Sequence, residues 1–164
     1  MHVSGKLLGA AAGAVALAGL NAVLVSGAAE AADKMADKPK VITLTQTGCQ
    51  FVEPEGTDHH YKTSKKADCE KINDKTEDAR LAKHKVLKLK PGKYVFRVKN
   101  ENVPYMLGFY LRGQGLGRLT LPKTSGGGLH KGVTKDYEIT LKPGKYIYSC
   151  PLNTTPDYEI HVEG

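Results

Sequence analysis

Cysteine, histidine and methionine are the side chains of this sequence that bind soft or borderline metal ions. The 164-residue chain has three cysteines, Cys49, Cys69 and Cys150. Because the number is odd, at least one thiol is unpaired within the chain, bonded to another molecule or bound to a metal. A Cys49–Cys69 disulfide would attach the polar segment between them to the strand that precedes Cys49, and we favour it. Cys150 is then either a reactive or metal-bound thiolate or a buried inert thiol.

Other metal-ligand types occur at two further places. Asp58, His59 and His60 form the densest cluster, but neighbouring side chains on an extended chain point to opposite faces. The cluster is therefore either a solvated polar loop or the source of one histidine that turns toward Cys150 or a carboxylate. Met106 either packs in the core or offers a thioether to Cu(I). A copper or iron site would draw on Cys150, Cys49, Met106, His59 and His60.

No catalytic constellation is apparent, so we expect no enzyme. There is no placeable Ser/His/Asp arrangement, no recognisable carboxylate pair, no zinc-protease helix motif and no glycine-rich phosphate-binding motif. The net charge of +7 comes from scattered lysines and not from an arginine-rich run with aromatic residues, which argues against nucleic acid. It indicates an ordinary soluble surface, or a docking face for an acidic redox or metal-transport partner or an anionic membrane.

The first 31 residues have the pattern of a secretory signal peptide. Lys6 precedes an apolar, small-residue stretch at 7–27, and an Ala-Glu-Ala cleavage pattern ends at Ala31. We predict cleavage after Ala31 and a periplasmic or secreted protein, in a compartment that permits disulfides. The alternative is an uncleaved membrane anchor, because about 20 apolar residues can span a bilayer. Residues 32–40 are polar, show no periodicity and predict a flexible tether.

Residues 41–164 have the pattern of one all-β domain with a polar insertion at 50–85. Alternating apolar and polar residues, or short apolar runs bounded by turn residues, predict seven strands. These strands lie at 41–47, 86–89, 94–98, 109–111, 136–141, 145–149 and 158–162. Short strands with regular turn signals predict a β-sandwich or barrel.

The insertion predicts two short helices, at 64–72 and 74–83. Asp74 and Glu77 have the spacing of a capping box that would begin the second helix. The segment is too short and too polar to bury a core of its own, so we expect it to pack on the sandwich.

Two further patterns concern turns. The hexapeptide Leu-Lys-Pro-Gly-Lys-Tyr occurs at 89–94 and again at 141–146, and we expect each copy to turn a hairpin. Residues 112–132 are glycine-rich and predict a long loop, either an ordinary flexible connection or a docking face. The basic residues of this predicted docking loop are Arg112, Arg118, Lys123, His130 and Lys131.

The order of these motifs resembles the cupredoxin family. A strand ends in Asn100, Pro104-Tyr105 follows, and a tyrosine-rich strand later leads into Cys150. The resemblance covers 41–49 and 86–164 and looks closest to the cupredoxin-like domain of periplasmic iron-uptake proteins of the EfeO type. It implies a Greek-key β-sandwich with a metal site at Cys150. It also implies that Cys49 lies at the same end of the sandwich as Cys150, so a Cys49–Cys150 disulfide is the rival pairing.

The chain departs from the family at the ligand positions. Cupredoxins have Pro-His where this chain has Pro104-Tyr105, a histidine where it has Asn153, and a methionine that it lacks. A blue-copper site requires two imidazoles and a thiolate, so Tyr105 and Asn153 are degenerate ligand positions and no ordinary type 1 site is expected. Two functions remain. One is periplasmic handling of copper or iron, by binding, delivery or electron transfer, at a non-standard site; the other is a metal-free accessory or docking module for a periplasmic or membrane partner.

Overall fold

The computed structural model describes residues 38–164. The predicted signal peptide, its cleavage after Ala31 and residues 32–37 of the predicted tether lie outside this range. Within it, the chain forms nine strands and three helices in the following order: β1 (Lys40–Thr47), β2 (Gln50–Phe51), α1 (Val52–Glu55), α2 (Lys66–Leu81), β3 (Leu87–Leu89), β4 (Gly92–Asn100), β5 (Leu107–Gly113), α3 (Gly117–Thr120), β6 (Thr124–Leu129), β7 (Thr134–Leu141), β8 (Gly144–Ser149) and β9 (Tyr158–Val162). None of the helices in this part of the chain is long and apolar enough to cross a bilayer.

The strands form two sheets. The first has the order β2-β1-β4-β7 and the second the order β3-β9-β8-β5-β6. Strands β1 and β4 pair in parallel, as do β3 and β9, and the other pairs are antiparallel. The prediction of a mostly β, two-layered protein with a helical insertion is confirmed.

Aromatic side chains from both sheets fill the space between them. On β4, Tyr94, Phe96 and Val98 are buried while Arg97 is exposed, as the period of two predicts, although Val95 is buried as well. Phe96 stacks on Phe109 of β5 with ring centroids 5.7 Å apart. Cys150, at the end of β8, belongs to the same core.

The two hexapeptide copies do not turn hairpins, so that prediction is wrong. The first copy joins β3 of the second sheet to β4 of the first, and the second joins β7 of the first to β8 of the second. In each copy the tyrosine hydroxyl donates back to a lysine carbonyl, from Tyr94 to Lys90 at 2.9 Å and from Tyr146 to Lys142 at 3.0 Å. The repeat is therefore a corner that carries the chain from one sheet to the other, fixed by a tyrosine–backbone hydrogen bond.

The insertion holds one long helix, not the two short ones predicted. Helix α2 runs from Lys66 to Leu81 without a break, and Asp74 and Glu77 lie inside it, so the predicted capping box is wrong. Its first turn is instead capped by Asp68, whose carboxylate accepts hydrogen bonds from the amides of Ser64 and Lys65 at 2.8 and 3.1 Å.

The predicted loop at 112–132 is also largely wrong. Strand β5 extends to Gly113, helix α3 follows, and β6 pairs with β5 over Thr124–Leu129. A side chain at Gly126 would place its Cβ 3.0 Å from the Tyr137 ring, so glycine permits β6 to approach the core. Glycine gives no alternating apolar pattern, and for this reason the strand is not visible in the sequence.

Candidate functional site

Cys150 is a buried, free thiol at the end of β8. Its Sγ accepts a hydrogen bond from the amide of Gly108 at 3.3 Å, and its own amide donates to Thr155 Oγ1 at 2.8 Å. Burial raises the pKa of the Cys150 thiol, and neighbouring backbone amides oppose this only in part. The side chain is therefore a protonated thiol at neutral pH and not a thiolate nucleophile.

Tyr105 and Asn153, which the resemblance predicts to be degenerate ligand positions, contact each other. The Tyr105 hydroxyl donates to Asn153 Oδ1 at 3.1 Å. The same Oδ1 accepts from the Cys49 amide at 3.2 Å, and Asn153 Nδ2 donates to the Thr47 carbonyl at 2.8 Å. Asn153 is fully buried, so both polar ends of its carboxamide are satisfied by protein groups.

Asn100 shapes the loop that presents Tyr105. Its buried side chain donates to the carbonyls of Val103, Tyr105 and Leu129 at 3.1, 3.3 and 3.0 Å, and it accepts from the Val103 amide at 2.9 Å. Burial raises the pKa of the Tyr105 phenol, so it remains a neutral donor at neutral pH.

The Cys49–Cys69 disulfide is confirmed, with Cα atoms 5.0 Å apart. The rival Cys49–Cys150 pairing is excluded, and the prediction of Cys49 as a metal ligand is wrong because a bonded sulfur offers no thiolate. Cys69 Sγ lies 3.7 Å from the Tyr105 hydroxyl and 3.3 Å from Asn153 Oδ1. The disulfide therefore lies against the Tyr105–Asn153 pair.

A buried ion pair also attaches the insertion to the sandwich. Arg80 of α2 donates to both carboxylate oxygens of Glu55, at 2.7 to 3.1 Å, and to the Cys49 carbonyl at 3.0 Å. The Tyr158 hydroxyl of β9 donates to the same carboxylate. This network is not predicted from the sequence, although Cys69, Asn73 and Arg80 have the spacing of one helix face.

The histidine cluster does not join Cys150. His59 Nε2 lies 2.8 Å from Glu55 Oε2, and the ring stacks on Tyr61 with centroids 5.3 Å apart. His60 is exposed and pairs with Asp58 at 3.4 Å. Neither histidine makes a hydrogen bond to Cys150 within residues 38–164.

The donors near Cys150 do not suit a type 1 copper ion. Two imidazoles are required, and the positions where the resemblance implies them hold a phenol and a carboxamide that are hydrogen-bonded to each other. Met106 is 46% exposed, so it does not pack in the core. Across residues 38–164 no group of three or more His, Cys, Asp and Glu side chains is arranged to hold a metal ion.

The predicted docking residues do not share one face. Arg112 forms an ion pair with Asp157 at 2.8 Å and lies 4.6 Å above the Tyr110 ring. His130 and Lys131 lie at the end of the sandwich where β4 finishes, because Gly132 donates to the Asn100 carbonyl at 2.7 Å. Arg118 and Lys123 lie at the opposite end, near the start of β8.

Comparison with solved structures finds likenesses to this fold. No protein-family model and no curated protein matches the chain. The fold is similar to that of auracyanin A, a "blue" copper protein from the green thermophilic photosynthetic bacterium Chloroflexus aurantiacus, with a TM-score of 0.41 and 14% identity over 77% of this chain and 100% of that chain. A likeness of this size carries no argument about the site.

Proposed function

We propose that this chain is an exported, cupredoxin-like β-sandwich that works as a metal-free docking module and is not an enzyme. The observation that carries the proposal is the Tyr105–Asn153 hydrogen bond. It links two side chains at the positions where the resemblance implies imidazole ligands. Export and a periplasmic location are part of the proposal and rest on the signal-peptide pattern that ends at Ala31.

The neighbouring groups support this function because they are bonded to Asn153 and to one another in a closed network. The Asn153 carboxamide is anchored to Thr47 and Cys49, and Cys49 is bonded to Cys69. To recruit Asn153 for a metal, the protein would have to break hydrogen bonds of a buried group, at a cost of about 1–3 kcal/mol. A rigid rim of this kind suits recognition of a partner by shape, since little side-chain freedom is lost on binding.

Metal titration tests the proposal. The exported protein and its Cys150→Ser variant are titrated with Cu(I), Cu(II) and Fe(II), and bound metal is measured after gel filtration. A His59→Asn/His60→Asn variant controls for weak binding at the exposed histidines. We expect no stoichiometric ion that depends on Cys150. A one-to-one ion that the Cys150→Ser substitution abolishes would overturn the metal-free proposal.

Handling of copper or iron is the second candidate, favoured by the position of Cys150. The Cys150 Sγ accepts a hydrogen bond from the amide of Gly108, and Gly108 follows the exposed Met106 by two positions in the sequence. Thiol and thioether together suit Cu(I). This candidate predicts that Cys150→Ser and Met106→Leu each weaken Cu(I) binding. If both variants bind as the parent does, it is eliminated.

A further inference from the structure

The two most exposed large apolar side chains of residues 38–164 lie at α3, one directly before its first residue and one within it. Leu116 is 87% exposed and Leu119 is 85% exposed. They are three positions apart on one helical turn, so they project from the same side. Gly115 and Gly117 flank Leu116 and provide no side chains beside it. The pair therefore forms a convex apolar tip and not the wall of a groove.

This tip has a fixed support. The Gln114 amide donates to the Lys145 carbonyl at 2.9 Å, which attaches the segment to β8. Leu121 lies against Gly117 and Gly144, and a Cβ at either glycine would come within 3.0 Å of its side chain. Since Leu121 supplies the inward contact, Leu116 and Leu119 are directed to solvent.

Exposed basic residues occur in the segments next to the tip. Arg118 lies between the two leucines in the sequence. Lys123 follows Leu121, and Lys142 and Lys145 lie on either side of Gly144, which Leu121 contacts. These exposed cations make no ion pair with any residue in the described range: Arg118, Lys123, Lys142 and Lys145. The nearby carboxylate of Glu159 already accepts from Gln114 at 3.3 Å and pairs with His161 at 3.1 Å.

We propose that this tip docks the protein on an anionic lipid bilayer, with Leu116 and Leu119 inserted at the level of the headgroups. Apolar residues next to unpaired cations are what an anionic membrane interface attracts. Two leucines at one short helix form too small a surface for a stable protein interface, which buries about 800 Å² on each partner. The inference rests on the proposed docking function and adds to it a second surface, at the end of the sandwich opposite the Tyr105–Asn153 pair, with a partner of defined chemistry.

A single tryptophan reports on the tip, because the chain has no natural tryptophan. Leu119→Trp is compared with Leu152→Trp, whose parent residue is also exposed but lies beyond the other end of β8. Each exported variant is mixed with vesicles of phosphatidylcholine alone or with phosphatidylglycerol added. We expect a blue shift and quenching by brominated lipid only for Leu119→Trp and only with the anionic vesicles.

Two further variants test the contributions separately. Leu116→Ser/Leu119→Ser should lower the vesicle partition coefficient about tenfold or more. Arg118→Gln/Lys145→Gln should lower it roughly 25-fold at low salt, because each cation near an anionic surface contributes about fivefold. Circular dichroism confirms that both variants fold. Removal of the exposed apolar groups at the other end, by Met106→Ser/Leu152→Ser, should leave partition unchanged.

Specific outcomes would overturn the inference. One is a Leu119→Trp spectrum that stays at the solvent-exposed position with anionic vesicles, and another is an equal response from Leu152→Trp. Self-association that Leu116→Ser/Leu119→Ser abolishes, without any lipid response, would assign the tip to a second copy of the chain and refute lipid docking. Metal titration of the same samples keeps the two proposals apart: a Cys150-dependent ion refutes the metal-free function, whereas failure of vesicle binding alone refutes only the membrane surface.

Discussion

The Tyr105 hydroxyl and the Asn153 side-chain oxygen lie 3.1 Å apart, although 48 positions separate these residues in the chain. The bond joins the loop after β4 to the loop after β8, which begins at the buried Cys150, and it lies against the Cys49–Cys69 disulfide. The resemblance implies two imidazoles at these positions. The phenol and the carboxamide are therefore a chemical difference from the family, and mutation can reverse it.

Tyr105→His combined with Asn153→His should create a copper site. The double substitution supplies the two imidazoles that, with the Cys150 thiolate, form a trigonal set for Cu(II). We expect one-to-one Cu(II) binding with an intense thiolate-to-copper absorption in the visible range. The same double substitution combined with Cys150→Ser is the control and should show no such band. If the band is absent from the double variant as well as from the control, the assignment of Tyr105 and Asn153 to copper-ligand positions is refuted.

Arg80→Met should strongly destabilise the fold. Glu55 would remain buried without its guanidinium partner, which costs about 3–5 kcal/mol in the free energy of unfolding. Arg97→Met is the matched control, because the Arg97–Asp136 pair is exposed and such pairs contribute about 1 kcal/mol or less. Urea denaturation measures both variants. Equal losses would show that the buried network does not hold the insertion in place.

Removal of the disulfide should also lower stability. In the chain-entropy model, the sequence separation of 20 residues corresponds to about 3 kcal/mol. Cys49→Ala/Cys69→Ala should therefore unfold at a lower urea concentration than the oxidised parent, and a reductant should not shift it further. A parent protein whose midpoint does not change on reduction would contradict this expectation.

The cap on helix α2 predicts a dependence on pH. Hydrogen bonds from the amide and hydroxyl of Ser64 lower the pKa of Asp68 below its ordinary value of 3.8. A lowered pKa in the folded state stabilises the protein above the unfolded pKa, and this contribution is lost as the pH falls through the folded value. The difference in unfolding free energy between the parent and Asp68→Asn should thus be constant near neutral pH and shrink below about pH 4. Asp74→Asn, in the interior of the same helix, controls for loss of a helical carboxylate, and a difference that grows on acidification would refute the role of the cap.

Most strands could be predicted because their signal is local. Alternation along β1, β4 and β7 places one set of side chains in the core whatever the partner strand is. Strand β6 could not be predicted, because Gly126–Gly128 has no side chains to alternate and its pairing with β5 exists only in three dimensions. The corners at Pro91 and Pro143 are a second example. The Pro-Gly pair predicts a turn, but it does not determine which sheet the following strand joins.

The break predicted inside the insertion has a specific cause. The prediction relied on the capping-box spacing of Asp74 and Glu77, which is typical of a helix start. In the structure the preceding residue, Asn73, donates from its side chain to the Thr154 carbonyl and accepts from Arg80 at 2.6 Å, so it serves the buried network while the helix continues. These partners come from segments that no window around Asn73 contains.

By itself, the sequence determined which chemical groups are available: three cysteines, a phenol and a carboxamide where imidazoles would be required, and strands of the right period to carry them. Only the tertiary structure decided how these groups combine. It bonded Cys49 to Cys69, buried Cys150, joined Tyr105 to Asn153 and left Leu116 and Leu119 in solvent. The physical reason is that residue type and periodicity are local properties, whereas a disulfide, a hydrogen bond between loops and the exposure of a side chain depend on which distant segments the fold brings together.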